Sequence, residues 1–336
     1  MQFKKITNKD GKNILGCNDI QSLILECADD EVVLEVKYSA ICGSDISNFK
    51  NNLSPRIMGH EYSGTIFYCG SKVPKQFSNS KSIYNVQPNI HCNQCVNCMR
   101  KNYSLCNDKK CYGYHYPGGY VEYTKINYRN LYSYGGKDEN NVICSSLIEP
   151  VACIIKAIEK SNIDHDNSIL ITGAGFTGLS MILYLDKKIK VKNIESVDIK
   201  KNNRKKSLEL GASKSYSHIP KSNFDVIIDT TGNIDVINKS LKQLKPSGKL
   251  VIFGVTKENQ YASLNTHEVW KKELTIIGTR STSHSHEKAL EFVKTHDEIF
   301  VKMITHRLKL ECLKNVKNIV SQKNYIKGVI CREKSL

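Results

Sequence analysis

Cys92-Asn-Gln-Cys95-Val-Asn-Cys98, followed by Cys106 after seven intervening residues, gathers four thiols into one short segment of a 336-residue chain. Four thiolates spaced C-x2-C-x2-C-x7-C suit a closed, tetrahedral zinc. The segment is Asn-rich and poor in apolar residues, so something other than a core must hold it folded, and a metal clip would do so. An iron–sulfur cluster also takes four thiolates, but that chemistry leaves the motifs that follow unexplained.

A second set of ligand types is dispersed. Cys42-Gly-Ser44-Asp45 and Gly59-His60-Glu61 each place soft or borderline ligands beside glycine, and Ile148-Glu149-Pro150 offers a third region. A catalytic zinc takes about three protein ligands and keeps one position open. Cys42, His60 and either Glu61 or Glu149 would supply them. Taken alone, Cys42 or His60 reads as an ordinary buried residue; their weight comes from standing together upstream of a nucleotide motif.

That motif is Ile169-Leu-Ile-Thr-Gly173-Ala-Gly175-Phe176-Thr177-Gly178, a G-x-G-x-x-G between a strand and a helix. Gly173 permits a tight turn, Gly175 lets backbone approach a pyrophosphate, and Gly178 lets helix and strand pack closely. The phosphates then meet the unpaired N–H groups and dipole of the helix N-terminus. Asp198 ends the next strand, where a carboxylate accepts hydrogen bonds from an adenine-ribose diol. Its charge would repel a 2′-phosphate, which favours NAD over NADP, while Lys200, Lys201 and Arg204 close by would soften that repulsion. Gly254, Val255 and Thr279 fall at later strand ends, where such sheets bind ligands. Arg280 would bind a substrate hydroxyl or phosphate, or pair with a carboxylate.

The elements that must position these residues are of two kinds. The first ~150 residues, by the usual domain-size prior, are irregular and rich in short strands such as Val32–Tyr38 and Gly59–Tyr68. From Ser168 the strands Ile169–Thr172, Ile194–Asp198, Asp225–Asp229, Lys249–Phe253 and Leu274–Ile277 alternate with amphipathic helices at Leu179–Lys187, Asn203–Leu210 and Ile234–Leu244. Gly211 stands where a helix-terminating glycine belongs. This alternation predicts an α/β fold with a doubly wound parallel sheet. The tail reads as helices over Glu287–Val293 and Leu310–Ser321 and a short strand around Val329.

Composition excludes more than it selects. Hydrophobic content of 40% and charged content of 24% allow a packed core. Net charge is +16, but 42 of the 49 basic residues are scattered lysines. No basic stripe of the kind that binds nucleic acid is present. The start, MQFKKITNKD, has no apolar leader, and runs such as Ile169–Ile171 and Val226–Ile228 are far too short to cross a bilayer. A cytoplasmic location is the expectation, with no membrane or nucleic-acid partner. The 13 cysteines are an odd number and argue for metal or catalytic roles over a disulfide framework.

Together, Cys42-Gly-Ser-Asp, Gly59-His-Glu-Tyr-Ser-Gly64, the Cys92–Cys106 lobe, Gly118-Gly-Tyr-Val-Glu-Tyr123, Glu149-Pro150 and the glycine motif resemble the zinc-containing medium-chain dehydrogenases. Lys271–Gly278 and Ile326–Ile330 extend the likeness almost to the C-terminus. The resemblance implies a GroES-like, mainly β catalytic domain over residues 1–150 with a zinc lobe near 89–107. It implies a Rossmann domain over 151–285 and a return to the catalytic domain over 286–336. Glu149-Pro150 with Gly-His-Glu looks most like the polyol branch: sorbitol, threonine and galactitol-phosphate dehydrogenases. That branch implies a Cys/His/Glu zinc, with whichever of Glu61 and Glu149 does not bind metal holding a water or the substrate. Relatives form dimers or tetramers.

The chain departs from the pattern twice. Ser47 stands where many relatives carry a proton-relaying histidine, and Asn79–Ile83 replaces a Gly-Asp-Arg-Val stretch. The implied reaction is hydride transfer between nicotinamide and a secondary alcohol or ketone of a polyol, sugar alcohol or sugar phosphate. Ser44 accepts the hydroxyl proton and passes it onward through the cofactor ribose. An amino-alcohol or aminocyclitol substrate is the neighbouring alternative. A non-catalytic zinc or nucleic-acid-binding protein is the alternative from another class, and it has no need of Cys42, His60, Glu61 and Glu149.

Overall fold

The strand Glu31–Ala40 (EVVLEVKYSA) is the axis of the unit that carries the dispersed ligands. In the computed structural model, which describes residues 1–9, 12–48, 56–78, 81–135, 141–282 and 284–332, it buries Val32, Val33, Leu34 and Val36. Asn79 and Ser80 lie outside the described residues, and so does the Ser47 side chain. Glu31–Ala40 pairs antiparallel with Glu61–Cys69, with Tyr123–Asn127 along its first half, and with Lys327–Cys331 at its end. Lys327–Cys331 in turn pairs parallel with Ile304–Leu308, so the C-terminal segment belongs to the same seven-stranded sheet. Tyr62, Tyr84, Val86, Val121 and Ile126 close the core over it. A smaller sheet, Gln2–Lys9 between Lys12–Asp19 and Arg56–Ile57, completes the unit, which comprises Met1–Ala152 and Thr282–Leu336.

Register does the positioning. Ala40 is paired with Glu61 on one side and with Val329 on the other, and the Ile41 N–H continues the second ladder onto the Gly328 carbonyl at 2.9 Å. The residues just past these ladder ends, Cys42, His60 and Lys327, are therefore delivered to one place from three distant parts of the chain.

One buried group in this unit has a measurable cost. His286 opens the helix His286–Thr295 and is 2% exposed; its Nε2 donates to Asn85 Oδ1 at 2.6 Å, while Nδ1 has no partner. Burial pushes the imidazole down to about 3. As pH falls from 6.5 towards 3 the unfolded chain takes up a proton that the folded chain refuses. Stability is therefore lost across that window, by about 2 kcal/mol at pH 5. His286→Gln is expected to shrink the loss between pH 7 and pH 5 by that amount in denaturant titrations. Equal losses in the two proteins would contradict the account.

The second unit, Cys153–Ser281, is a six-stranded, all-parallel sheet. Its order is Lys214–Tyr216, Asn193–Val197, Ser168–Thr172, Phe224–Asp229, Leu244–Ile252 and Thr275–Gly278. This is the 3-2-1-4-5-6 order of a dinucleotide-binding fold, whose ligand crevice lies outside the carboxyl ends of the strands. The core strands are nearly continuous apolar runs because both faces are covered. Helices Phe176–Tyr184, Lys201–Glu209 and Ile234–Leu241 provide crossovers, and Gly211 follows the second with φ +115°. No helix among the described residues is long and apolar enough to cross a membrane.

Boundaries differ from expectation at identifiable residues. Lys214–Tyr216 is three residues long, too short to show a period. Leu244 leaves the helix and begins a strand, fully buried, because an isolated leucine satisfies either period. Leu310–Ser321 splits into a 3-10 turn, Leu310–Asn315, and a short helix, Val316–Val320. Asn315 stands at the break, a residue whose side chain competes with helical hydrogen bonds.

Candidate active site and metal centres

Cys42, His60 and Glu61 bring a sulfur, a ring nitrogen and a carboxylate oxygen within 4.8 Å of one another. Gly59 makes the approach possible. It sits at φ +90°, and a Cβ there would run into the Tyr120 ring, which packs against the turn. Gly118–Tyr120 lies alongside, with the Gly118, Tyr120 and Gly119 amides donating to the Ile57, Met58 and Gly59 carbonyls. The two glycine-containing motifs are thus one piece of structure.

Around the donors lies a ring of groups that orient them. Asp45 is completely buried; its Oδ1 lies 3.2 Å from His60 Nδ1, and its Oδ2 accepts the Tyr120 hydroxyl at 2.7 Å. A carboxylate can only accept, so Nδ1 carries the proton and Nε2 is left as ligand, the arrangement that metal-binding histidines use. Burial alone would lower the His60 pKa, but the Asp45 carboxylate, with the Tyr114 and Cys42 side chains beside it, outweighs burial and holds the imidazole well above its usual value. A buried pocket that favours positive charge beside Asp45 is one that a divalent cation on Cys42, His60 and Glu61 would suit. Lys327, 5% exposed, places its ammonium 2.6 Å from Glu61 Oε2. Burial opposes that charge, and Glu61 and Cys42 more than restore it. Ser44 Oγ donates to Cys42 Sγ at 3.2 Å and sits 3.0 Å from the Tyr114 hydroxyl.

Glu149 lies in the first turn of the helix Ile148–Ser161, buried, and outside the Cys42–His60–Glu61 cluster. Its charge reaches Cys111, a thiol that burial pushes up to about 11 and that also feels His60 and Asp45. Sequence reasoning missed Tyr114 and the orienting roles of Asp45, Tyr120 and Lys327. Three of these lay within quoted motifs, but no spacing rule says what such residues touch.

The four-cysteine segment is a second donor cluster. Its sulfurs all lie within 4.8 Å of one another, with Cys92–Cys98 at 3.9 Å and Cys92–Cys106 at 3.5 Å. Tetrahedral zinc with Zn–S bonds of about 2.3 Å requires sulfurs about 3.8 Å apart, so the residues fit the ion. Backbone N–H groups of Asn107 and Cys98 hold the Cys95 thiol down to about 6, and those of Gln94 and Cys95 lower Cys92. Burial drives Cys98 up to about 12. A cation is what would let all four ionise together.

In the parallel sheet, Gly173 has φ +90°, and a Cβ on it would strike Thr230 and Thr231; one on Gly178 would strike the Gly173 carbonyl. A Cβ on Gly175 meets nothing within 4 Å, which leaves an open cradle at the N-cap of the helix Phe176–Tyr184. Phe176 is buried and Thr177 half-buried. Asp198 holds the loop, its Oδ2 accepting the Ala174 N–H at 2.8 Å and Oδ1 accepting the Lys200 N–H at 2.7 Å. Arg204 donates to the Asp198 and Ile199 carbonyls. Asp229, fully buried and not singled out from sequence, accepts from Thr172, Thr231 and Gly232 and ties the first and fourth strand ends together. Gly254 packs on Gly232, Val255 is exposed, and the Thr279 N–H donates to the Ile252 carbonyl. The Arg280 carbonyl accepts Lys156, while its side chain is exposed.

Residues 28–135 match the alcohol dehydrogenase GroES-like domain and residues 143–331 match the glucose dehydrogenase C-terminus. D-altritol 5-dehydrogenase of Agrobacterium fabrum is 25% identical over 291 residues, covering 83% of this chain and 85% of that protein. D-arabitol-phosphate dehydrogenase of Enterococcus avium is 28% identical over 275 residues, 76% of each. A zinc-binding dehydrogenase of Sinorhizobium meliloti, solved with NADP, superposes with a TM-score of 0.89 at 21% identity over 99% of this chain and 100% of that one. The chain belongs to the zinc-containing medium-chain dehydrogenase/reductase family. Within it the chain stands with the polyol branch of the alcohol dehydrogenases, whose chemistry uses zinc and a nicotinamide dinucleotide.

Proposed function

We propose that this enzyme oxidises a secondary hydroxyl of a polyol, sugar alcohol or sugar phosphate with NAD. The observation that carries the reading is the Cys42–His60–Glu61 donor cluster with the Ser44 hydroxyl on its sulfur. Zinc, when bound, supplies Lewis acidity to the hydroxyl oxygen, and the nicotinamide accepts the hydride. Cys42, His60 and Glu61 hold the metal, Glu61 through the oxygen that Lys327 leaves available. Asp45 and Tyr120 fix the His60 tautomer, Ser44 receives the hydroxyl proton, and Glu149 holds water or a substrate hydroxyl. Cys92, Cys95, Cys98 and Cys106 hold a second, structural zinc.

Gly173, Gly175, Phe176, Thr177 and Gly178 receive the pyrophosphate, and Asp198 receives the adenine ribose, with Arg204 bracing that strand end. Gly254, Val255 and Thr279 line the remainder of the cofactor path. The names of the two relatives, a polyol and a polyol phosphate dehydrogenase, support the substrate class. Cytoplasmic homodimers or homotetramers are part of the same reading. The edge strand Thr275–Gly278 is open, with Ile276 and, on the preceding helix, Trp270 exposed, and such edges invite pairing.

The test is a panel of sorbitol, galactitol, their phosphates, threonine and inositol amines with NAD and NADP, read by the absorbance of reduced cofactor beside the zinc content. Two zinc ions per chain and turnover of a polyol or its phosphate with NAD are expected. Turnover confined to amino compounds would refute the substrate class.

A further inference from the structure

Ser44 has one proton and two partners. Its Oγ lies 3.2 Å from Cys42 Sγ and 3.0 Å from the Tyr114 hydroxyl. When Ser44 donates to the sulfur, Tyr114 must donate to Ser44. To take a proton from a substrate, Ser44 must surrender its own, and a sulfur committed to a metal is no outlet. The outlet that the geometry provides is the phenol. Tyr114 is half-buried, its ring 5.3 Å from the His60 ring, and the next residues, His115 and Tyr116, are exposed. Arg56 fixes it, with the guanidinium 5.5 Å from the ring centroid and Nη1 3.5 Å from the Tyr114 carbonyl. Gly113, at φ +86°, shapes the turn that presents it.

We propose that Tyr114 is the positioning and relay residue of the proton path that leads from Ser44. The proposal rests on the dehydrogenase reading above. In the step, the substrate O–H bond breaks and its proton bonds to Ser44 Oγ. The original Ser44 proton passes to Tyr114 Oη, and the original Tyr114 proton passes to water. Both side chains end neutral, one proton reaches solvent, and the electron pair of the carbinol C–H bond leaves as hydride to the nicotinamide.

The test is Tyr114→Phe in the full-length, zinc-loaded chain, which keeps the ring and removes the hydroxyl. Zinc content, NADH binding followed by fluorescence, and KM are expected to stay at wild-type values. kcat is expected to fall ~100-fold, in the range of a lost proton-transfer group, and to recover in part with added imidazole. A purely structural role would move zinc content or KM together with kcat and would show no imidazole rescue; that result overturns the proposal. An active wild type with an unaffected Tyr114→Phe overturns the Tyr114 path alone. A wild type that reduces nicotinamide with no alcohol overturns the functional reading and the path with it.

Discussion

Cys42→Ala is expected to yield a folded protein that keeps one zinc in place of two and reduces no nicotinamide. The cluster has three donors within 4.8 Å of one another, so the substitution leaves two, too few for a catalytic site. A metal acting as Lewis acid stabilises the transition state by several kcal/mol. Losing ~5 kcal/mol slows the reaction by nearly four orders of magnitude, below detection in an absorbance assay. Stability should barely change. Cys42 is only half-buried and lies outside the packed apolar clusters. Lys327 keeps Glu61 as its partner, so no buried ammonium is stranded. Zinc analysis, circular dichroism and the NAD assay on one preparation decide it. Activity that survives with this metal site emptied would refute the mechanism.

Cys98→Ser should act in the opposite order, on folding first. The lobe around it has almost no core of its own: Val96, Met99 and Leu105 are exposed, and Cys98 and Cys106 are its buried apolar side chains. Structural zinc contributes ~10–16 kcal/mol to the folding of small zinc modules, and in a segment with so little else to bury, losing it should leave residues 90–110 unfolded. Limited proteolysis should cut there in the variant and not in the wild type, and one zinc should be lost. Activity should drop as well, though less than in Cys42→Ala, because the chain leaves the lobe into Tyr114 and the Gly118–Tyr120 stretch that backs Gly59. A variant that holds two zinc ions and resists protease would show that the four thiolates do not form a single metal clip.

Both experiments concern donors whose separations in sequence differ greatly, and that difference sets what could be read in advance. The four lobe cysteines are local: fifteen residues span them, and spacing alone nearly dictates a common centre. The glycine motif is local too. A tight turn and a close helix–strand approach are properties of a few consecutive residues, and Gly173 and Gly178 meet the steric constraints assigned to them, while a Cβ on Gly175 would meet nothing within 4 Å. The parallel sheet was legible because apolar runs alternating with amphipathic helices have few other ways to bury themselves. The three-residue edge strand and the end at Leu244 were not, since neither carries a period.

By itself the sequence determined the chemistry on offer: which residues could bind metal, where a dinucleotide could sit, and which family's pattern they follow. Only the tertiary structure decided which donors meet. Glu61 and Glu149 are equivalent as letters, but the antiparallel register Ala40–Glu61 sets one of them beside Cys42. The Val329–Ala40 register brings Lys327 from the far end of the chain onto that same carboxylate. Tyr114 reaches Ser44 across seventy residues. Such contacts depend on ladders between distant strands, and a pairing of distant strands leaves no periodic trace in either strand's own sequence.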